Sequence, residues 1–382
     1  MEALADVMAV MALVGSGLCI AGWLAVQRFA VKPPQIPAHC PPVTILKPLC
    51  GEEPHLEEAL VSCLRQDYPE FQIVFGLHHR SDPALAVVEN LKVRFPDCDM
   101  AIIVNPAIHG TNRKVSNLIN MLSAARHNLL VISDSDLHVP PDYLGQLVAE
   151  LERPGTGLVT CLALGRPPAE LGWPARLGAA QITYNFVPGI LFGRAAGRQD
   201  SLGSTVMLFR DTLERAGGLN PLADVLAEDN VLGQRVNALG LSVGLAQVVA
   251  GATVPENSLA ALWHHELRWA RTIRASAPWC LAGSAIQYPL FWAALACVFS
   301  GGALWSIAAF AAIWALRAAA MRGIDVALKD MAGNFAPGGS ALLLPLRDCL
   351  SAVVIAASYW TEDVVWRGHK MRANGVAAAE AP

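Results

Sequence analysis

Residues 275–316 run for 42 positions without one charged side chain, a length that ordinary soluble domains, about a quarter charged, do not leave bare. A second uncharged run, residues 7–26, covers twenty positions, and a helix of that length crosses a hydrocarbon core of about 30 Å. A third apolar run, residues 341–360, is broken by Arg347 and Asp348. The 42-residue stretch is too long for one tilted span. Either an interfacial segment precedes a single span, or Gly301-Gly302 divides a hairpin. An ionisable pair within a span is expensive unless it is paired or faces a polar cavity, which marks Arg347 and Asp348 as functional candidates. The alternative is that the span begins later and the pair sits at the membrane interface.

The charge balance excludes two broad classes. Charged residues make up 16% of the chain, hydrophobic residues 54%, and the mean hydropathy is +0.39, which no disordered chain shows. With 28 Lys+Arg against 32 Asp+Glu there is no basic excess to neutralise phosphates, so no nucleic-acid partner is expected. Glu2 and Asp6 precede the first run, while Arg28 and Lys32 follow it. That polarity reads as an uncleaved anchor with its start outside and its end in the cytoplasm. The basic tail Trp366–Arg372 is placed on the cytoplasmic side by the same rule, which favours an even number of crossings after the soluble part. Nine cysteines show no C-x-x-C spacing, so they read as reduced thiols rather than a zinc site or a disulfide framework.

Between Arg28 and Arg274 short apolar runs alternate with amphipathic stretches. Val43–Leu46, Gln72–Leu77, Ala101–Val104 and Leu129–Ser133 predict buried strands; 53–66, 83–95, 114–126 and 140–152 predict helices. Such alternation implies an α/β fold with a mainly parallel sheet, whose ligands sit beyond the carboxyl ends of the strands. Neither G-x-G-x-x-G nor G-x-x-x-x-G-K-[ST] occurs there, which disfavours dinucleotide and P-loop sites. This stretch is itself poor in charge, holding 45 of the chain's 60 charged residues in 247 positions. Within it, residues 171–198 lack any acidic residue and mix Trp, Tyr, Phe and Arg with small apolar residues. They read as an interfacial helix lying on the bilayer, or else as a buried helix.

Chemistry-bearing residues cluster after the strands. Asp134-Ser135-Asp136 follows the most apolar one; two carboxylates one residue apart can approach Mg²⁺ or Mn²⁺ together with diphosphate oxygens, or simply close a turn. Asp82-Pro83 suits a helix N-cap, and an Asp there could also accept from a base or ribose. Asn112-Arg113-Lys114 could bring a cation to a phosphate, or be a solvated turn. Glu228-Asp229 opens an amphipathic helix, where an acid is favoured by the dipole and a carboxylate near a sugar could serve as general base. Trp263–Arg271, just before the uncharged 42, carries more polar groups than an interfacial belt needs, and its Arg and Trp suit a leaving diphosphate and a stacked ring.

In order, Asp82, Asp134-Ser135-Asp136, Glu228-Asp229 and His265-x-x-Arg268-Trp269 resemble the D, D, D, (Q/R)xxRW signature of membrane glycosyltransferases with a GT-A fold, a Rossmann-like nucleotide-diphospho-sugar architecture. The resemblance covers about 40–285 and is nearest to ceramide glucosyltransferase-like enzymes. Residues 227–233 and 265–274 look most like the transferases of bacterial hopanoid biosynthesis. His265 departs from the signature, which has Gln or Arg there. The resemblance implies a UDP-sugar donor, UDP-GlcNAc ahead of UDP-glucose, and a membrane lipid acceptor, bacteriohopanetetrol ahead of ceramide. It assigns Asp82 to the uridine, Asp134 to the nucleotide-sugar, Asp136 to Mg²⁺ or Mn²⁺, and Asp229 to the base of an inverting displacement. His265, Arg268 and Trp269 would flank the leaving group and acceptor, and Lys114 is added as a donor-binding cation. The expected organisation is an anchor at 1–32, a cytoplasmic GT-A domain at 40–274, a membrane region at 275–361 and a cytoplasmic tail at 362–382, in a bacterial inner membrane. A processive polysaccharide synthase would need more spans, and an inactive scaffold would not need the acidic set.

Overall fold

The computed structural model describes residues 1–332 and 339–360, and the backbone of two short strands at 363–366 and 369–372. The chain opens on α1 (Glu2–Ala30), whose 29 residues at about 1.5 Å each exceed a bilayer core. Alternation then sets in: β1 (Val43–Pro48), α2 (Leu56–Leu64), β2 (Phe71–Leu77), α3 (Pro83–Arg94), β3 (Asp99–Val104), α4 (Arg113–Met121) and β4 (Leu129–Ser133). After the turn at Asp134–Asp136 come β5 (Leu137–His138), α5 (Tyr143–Leu151) and β6 (Thr156–Arg166). Next are α6 (Trp173–Gln181), a π-helical segment over Ile182–Phe186 and α7 (Val187–Ala195). Strand β7 (Thr205–Phe209), α8 (Arg210–Arg215), α9 (Glu228–Ala238) and β8 (Ser242–Thr253) complete the sheet. Helices follow: α10 (Leu259–Ser276), α11 (Pro278–Ser284), α12 (Pro289–Phe299), α13 (Leu304–Ala332) and α14 (Leu344–Ser358). Strands β9 (Asp363–Trp366) and β10 (His369–Arg372) pair antiparallel. The rest of the tail predicted at 362–382 lies outside the described residues.

These elements gather into two compact units that do not follow chain order. One comprises residues 33–163 and 198–253 and holds the sheet, in the order β3-β2-β1-β4-β7-β6-β8-β5. Its first four strands are parallel, as the strand–helix alternation predicts; β7 then runs antiparallel to β4, and β5 antiparallel to β8. The sheet is thus mixed, and the antiparallel half was not predicted. Alternate residues of the central strands face opposite layers, which is why those strands read as unbroken apolar runs. Val43, Ile45, Ile73, Phe75 and Val131 pack with α2, α3 and α5; Leu46, Val74, Leu130 and Ile132 pack with α4 and α9.

The other unit comprises residues 1–32, 164–197 and 254–374. Three of its helical segments, Glu2–Ala30, Leu304–Met331 and Ala341–Ser358, are long and apolar enough to cross a membrane. Residues 278–287 and 289–299 would make a fourth, bent by 68° at Tyr288-Pro289. Gly301 and Gly302, at φ of 65° and 77°, turn the chain between α12 and α13. Residues 173–195 are helical throughout, with Ala175, Leu177, Tyr184, Asn185 and Leu191 buried. Arg347 and Asp348 are fully enclosed in protein, each paired across helices.

Candidate active site

In the sheet unit the parallel strands deliver their chemistry at their carboxyl ends, as such sheets do. Asp82 follows β2 and caps α3: its Oδ1 accepts from the Ala84 N–H at 3.0 Å, with Pro83 in the first helical position. Both its oxygens also accept from the Gly51 N–H at 3.0 Å, tying the loop after β1 to the loop after β2. The N-cap role is therefore present, and the carboxylate stays half-buried at the strand ends.

Asp134 and Asp136 occupy the turn between β4 and β5, held by backbone bonds to the antiparallel half: Asp134 N–H donates to Ser204 O at 3.1 Å, and Thr253 N–H donates to Asp136 O at 3.1 Å. Lys114, in the first turn of α4, is no solvated turn residue. Its Nζ lies 2.7 Å from Asp134 Oδ1 and 3.0 Å from Glu228 Oε1, and donates to Gly203 O at 3.2 Å. Asn112 caps the same helix through Val115 N–H and reaches Glu228 Oε2 at 3.2 Å, fixing α9 against α4. Asp229 follows on α9, and a Cβ on Gly203 would stand 2.9 Å from its Oδ2, so its carboxylate lies close against the backbone there.

Four carboxylates, Asp134, Asp136, Glu228 and Asp229, thus share a small volume with Lys114. Burial, reinforced by Asp134 and Glu53 and opposed by Lys47, pushes the Asp136 carboxyl up to about 7. Burial and then Glu228, opposed by Lys114, push Asp229 up to about 7 as well. The Lys114 ammonium is held charged by Asp134 and Glu228 against its own burial, and its pKa rises. Among the described residues no three His, Cys, Asp or Glu side chains form a ready cage for a metal. The chemistry of this donor set nevertheless suits Mg²⁺ or Mn²⁺, which take one or two protein carboxylates and complete their shell with phosphates and water. A diphosphate brought to so acidic a place needs its charge offset.

Sequence reasoning missed Lys47 as a site member and gave Glu228 no role of its own beside Asp229. Lys47, at the end of β1, is fully buried and donates to Asp134 O at 2.6 Å. A lysine closing an otherwise apolar strand was the available signal. For Glu228 there was none beyond its neighbour, because its partners come from α4.

His265, Arg268 and Trp269 lie on α10, in the helical unit. Ser258 caps this helix through Ala261 N–H at 3.2 Å. The His265 ring Nδ1 hydrogen-bonds Glu256, a buried carboxylate on the segment that enters the helix. Trp269 meets His265 edge-on at 5.8 Å between centroids and lies at 5.3 Å from Phe186, on the π-helical segment. A π-bulge widens the helix by a residue, and such segments gather at functional sites.

The family model of glycosyl transferase family 21 matches residues 6–377. The chain belongs to that family. Among curated relatives, ceramide glucosyltransferase 1 of Caenorhabditis elegans is 26% identical over 207 residues, 54% of this chain and 44% of the relative. The ceramide glucosyltransferase of Komagataella phaffii is 36% identical over 136 residues, 33% of this chain and 26% of the relative. The family 21 chain thus spans less than half the length of these two relatives. In fold it is similar to a mannosyltransferase from Pyrobaculum calidifontis solved with GDP-Man and Mn²⁺, at a TM-score of 0.55 and 19% identity, covering 94% of this chain and 99% of the other. The GT-A architecture expected from the motif order is therefore the architecture found.

Proposed function

We propose that this family 21 chain transfers a sugar from a UDP-sugar to a hydroxyl of a membrane lipid, with inversion at the anomeric carbon. The observation that carries the reading is the carboxylate cluster around Lys114 at the strand ends, with Asp229 raised to about 7 and so poised to accept a proton near neutrality. Asp229 takes the proton of the acceptor hydroxyl as that hydroxyl's oxygen attacks the anomeric carbon and the bond from this carbon to the diphosphate oxygen breaks, releasing UDP. Asp82 reads the uridine, while Asp134 and Lys114 hold the nucleotide-sugar. Asp136 holds Mg²⁺ or Mn²⁺, which supplies charge neutralisation to the diphosphate. Arg268 and Trp269 flank the leaving group and acceptor, roles that rest on the resemblance, and His265 stands in the place of the usual Gln or Arg.

For the acceptor, the curated relatives, both ceramide glucosyltransferases, favour ceramide with a glucosyl donor, while bacteriohopanetetrol with UDP-GlcNAc rests on the resemblance at 227–233 and 265–274 alone. We assign residues 1–32 as an anchor, 40–274 as the transferase region with 171–198 at the bilayer surface, 275–361 as the membrane region and 362–382 as a cytoplasmic tail. The membrane assigned is a bacterial inner membrane. The test incubates the purified full chain with each radiolabelled UDP-sugar and vesicles carrying ceramide or bacteriohopanetetrol. Label in extracted lipid is expected, and the acceptor that takes it decides between the two. Label only in insoluble polymer, or none in either fraction, overturns the reading.

A further inference from the structure

The last apolar run is interrupted by two adjacent opposite charges that do not pair with each other. Arg347 forms a bidentate pair with Glu266, both bonds at 2.6 Å, and also donates to Leu177 O at 3.1 Å and to Ser351 Oγ at 3.2 Å. Asp348 accepts from Arg317 on α13 at 2.7 Å and from Leu290 N–H at 3.2 Å. Arg317 in turn donates to Asn185 Oδ1 at 2.8 Å. Arg347, Asp348, Arg317 and Glu266 are all buried.

One end of this network lies within the HxxRW segment, and the other adjoins an aromatic ring that packs against it. Glu266 directly follows His265 and precedes Arg268 by two positions on α10. Asn185 directly precedes Phe186, the ring against Trp269. A buried ion pair is weak ground for stability, because its desolvation offsets most of its attraction and apolar residues of similar size often do as well. What a bidentate guanidinium–carboxylate pair supplies is fixed geometry. At a radius of about 5–6 Å from the helix axis, a rotation of roughly 10° displaces a side-chain tip by about 1 Å.

We infer that the Arg347–Glu266 pair is a positioning device that fixes the rotation of α10, and through it the aim of His265, Arg268 and Trp269. The inference rests on the transferase reading above. A displacement of about 1 Å costs on the order of 10²-fold in rate, so losing the pair lowers kcat by that factor. The KM for UDP-sugar stays near its original value, since Asp82, Asp134 and Lys114, which hold the donor before reaction, lie in the sheet unit and Arg268 acts on the charge that develops as UDP leaves.

The test uses the full chain in lipid nanodiscs, with R347M, R347K and the apolar double variant E266L/R347M. R347M strands a buried carboxylate and can fail to fold; the double variant removes both charges and keeps the volume. Expected is a double variant that melts within a few degrees of the unsubstituted chain, with kcat down roughly 10²-fold, donor KM unchanged and faster amide exchange across 259–276. R347K, which keeps the charge and loses the fork, falls between. A double variant with full kcat overturns the inference. So does a kcat that falls only in parallel with melting temperature in every variant. If the unsubstituted chain labels no lipid, the transferase reading fails on its own, and amide exchange alone decides the positioning: faster exchange across 259–276 supports it, unchanged exchange overturns it.

Discussion

Replacing Lys114 by Met removes the side-chain cation that bridges Asp134 and Glu228 in the carboxylate cluster, and both stability and pH dependence should register it. Breaking a fully buried pair by deleting one partner costs about 3–5 kcal/mol, because the other charge is left uncompensated. Here Lys114 retains 14% of its side-chain exposure and Glu228 15%, but Asp134 retains 34%, so water screens that arm. The low end, about 3 kcal/mol, is therefore expected. In a sheet unit of about 190 residues that corresponds to a fall of roughly 6–12 °C in its melting temperature. Lys114 also holds the Asp229 carboxyl down, so its loss moves Asp229 above its value of about 7 and shifts the acid limb of the pH–rate profile upward. Calorimetry without donor, followed by transfer rates from pH 5 to 9, measures both, with K114R as the control that keeps the charge. A melting temperature within 2 °C of the original together with an unmoved acid limb would refute the electrostatic account.

Asp229→Asn should leave UDP-sugar binding intact and lower transfer by about 10²–10⁴-fold, measured by calorimetric titration beside a radiolabel assay; near-normal turnover removes Asp229 from the base role. Asp136→Ala should abolish the activity response to Mg²⁺ and Mn²⁺, whereas the unsubstituted chain should lose about tenfold in metal affinity per pH unit below about 7, because only the carboxylate form ligates. The sign for stability is the reverse. Asp136 and Asp229 hold protons more tightly folded than unfolded, so their contribution is complete below about pH 4 and is lost as pH rises through about 7. Without metal, the drop in melting temperature from pH 5 to pH 8 should shrink in D136N; an unchanged drop would count against burial as the cause. Gly301→Ala forces a left-handed φ of 65° on a residue with a Cβ, at about 1–2 kcal/mol, read as a lowered unfolding temperature.

Much of the site was legible because its residues sit where local rules put them. Asp82-Pro83 announces a cap, and Asp134–Asp136 follows the apolar run Leu129–Ser133, short enough to suit a buried strand. The antiparallel half was harder. Strands β6 and β8 are mostly apolar and run for 11 and 12 residues, long enough to pass for helices when no partner is in view. Strand pairing is set by residues far apart in sequence, as when Met207 meets Val159 and Val131.

The sequence by itself determined that the chain carries membrane-length apolar runs, that its centre alternates strands and helices, and that an ordered set of acids follows those strands. Composition and periodicity are local quantities, so one-dimensional reading reaches them. Only the tertiary structure decided what each charge faces. Lys114 looked like a cation awaiting phosphate and is held between Asp134 and Glu228. Arg347 and Asp348 are adjacent and of opposite sign, yet each reaches across to another helix. A helix points adjacent residues about 100° apart, so neighbours of opposite sign in one turn find their partners on different elements, and no sequence spacing reports which.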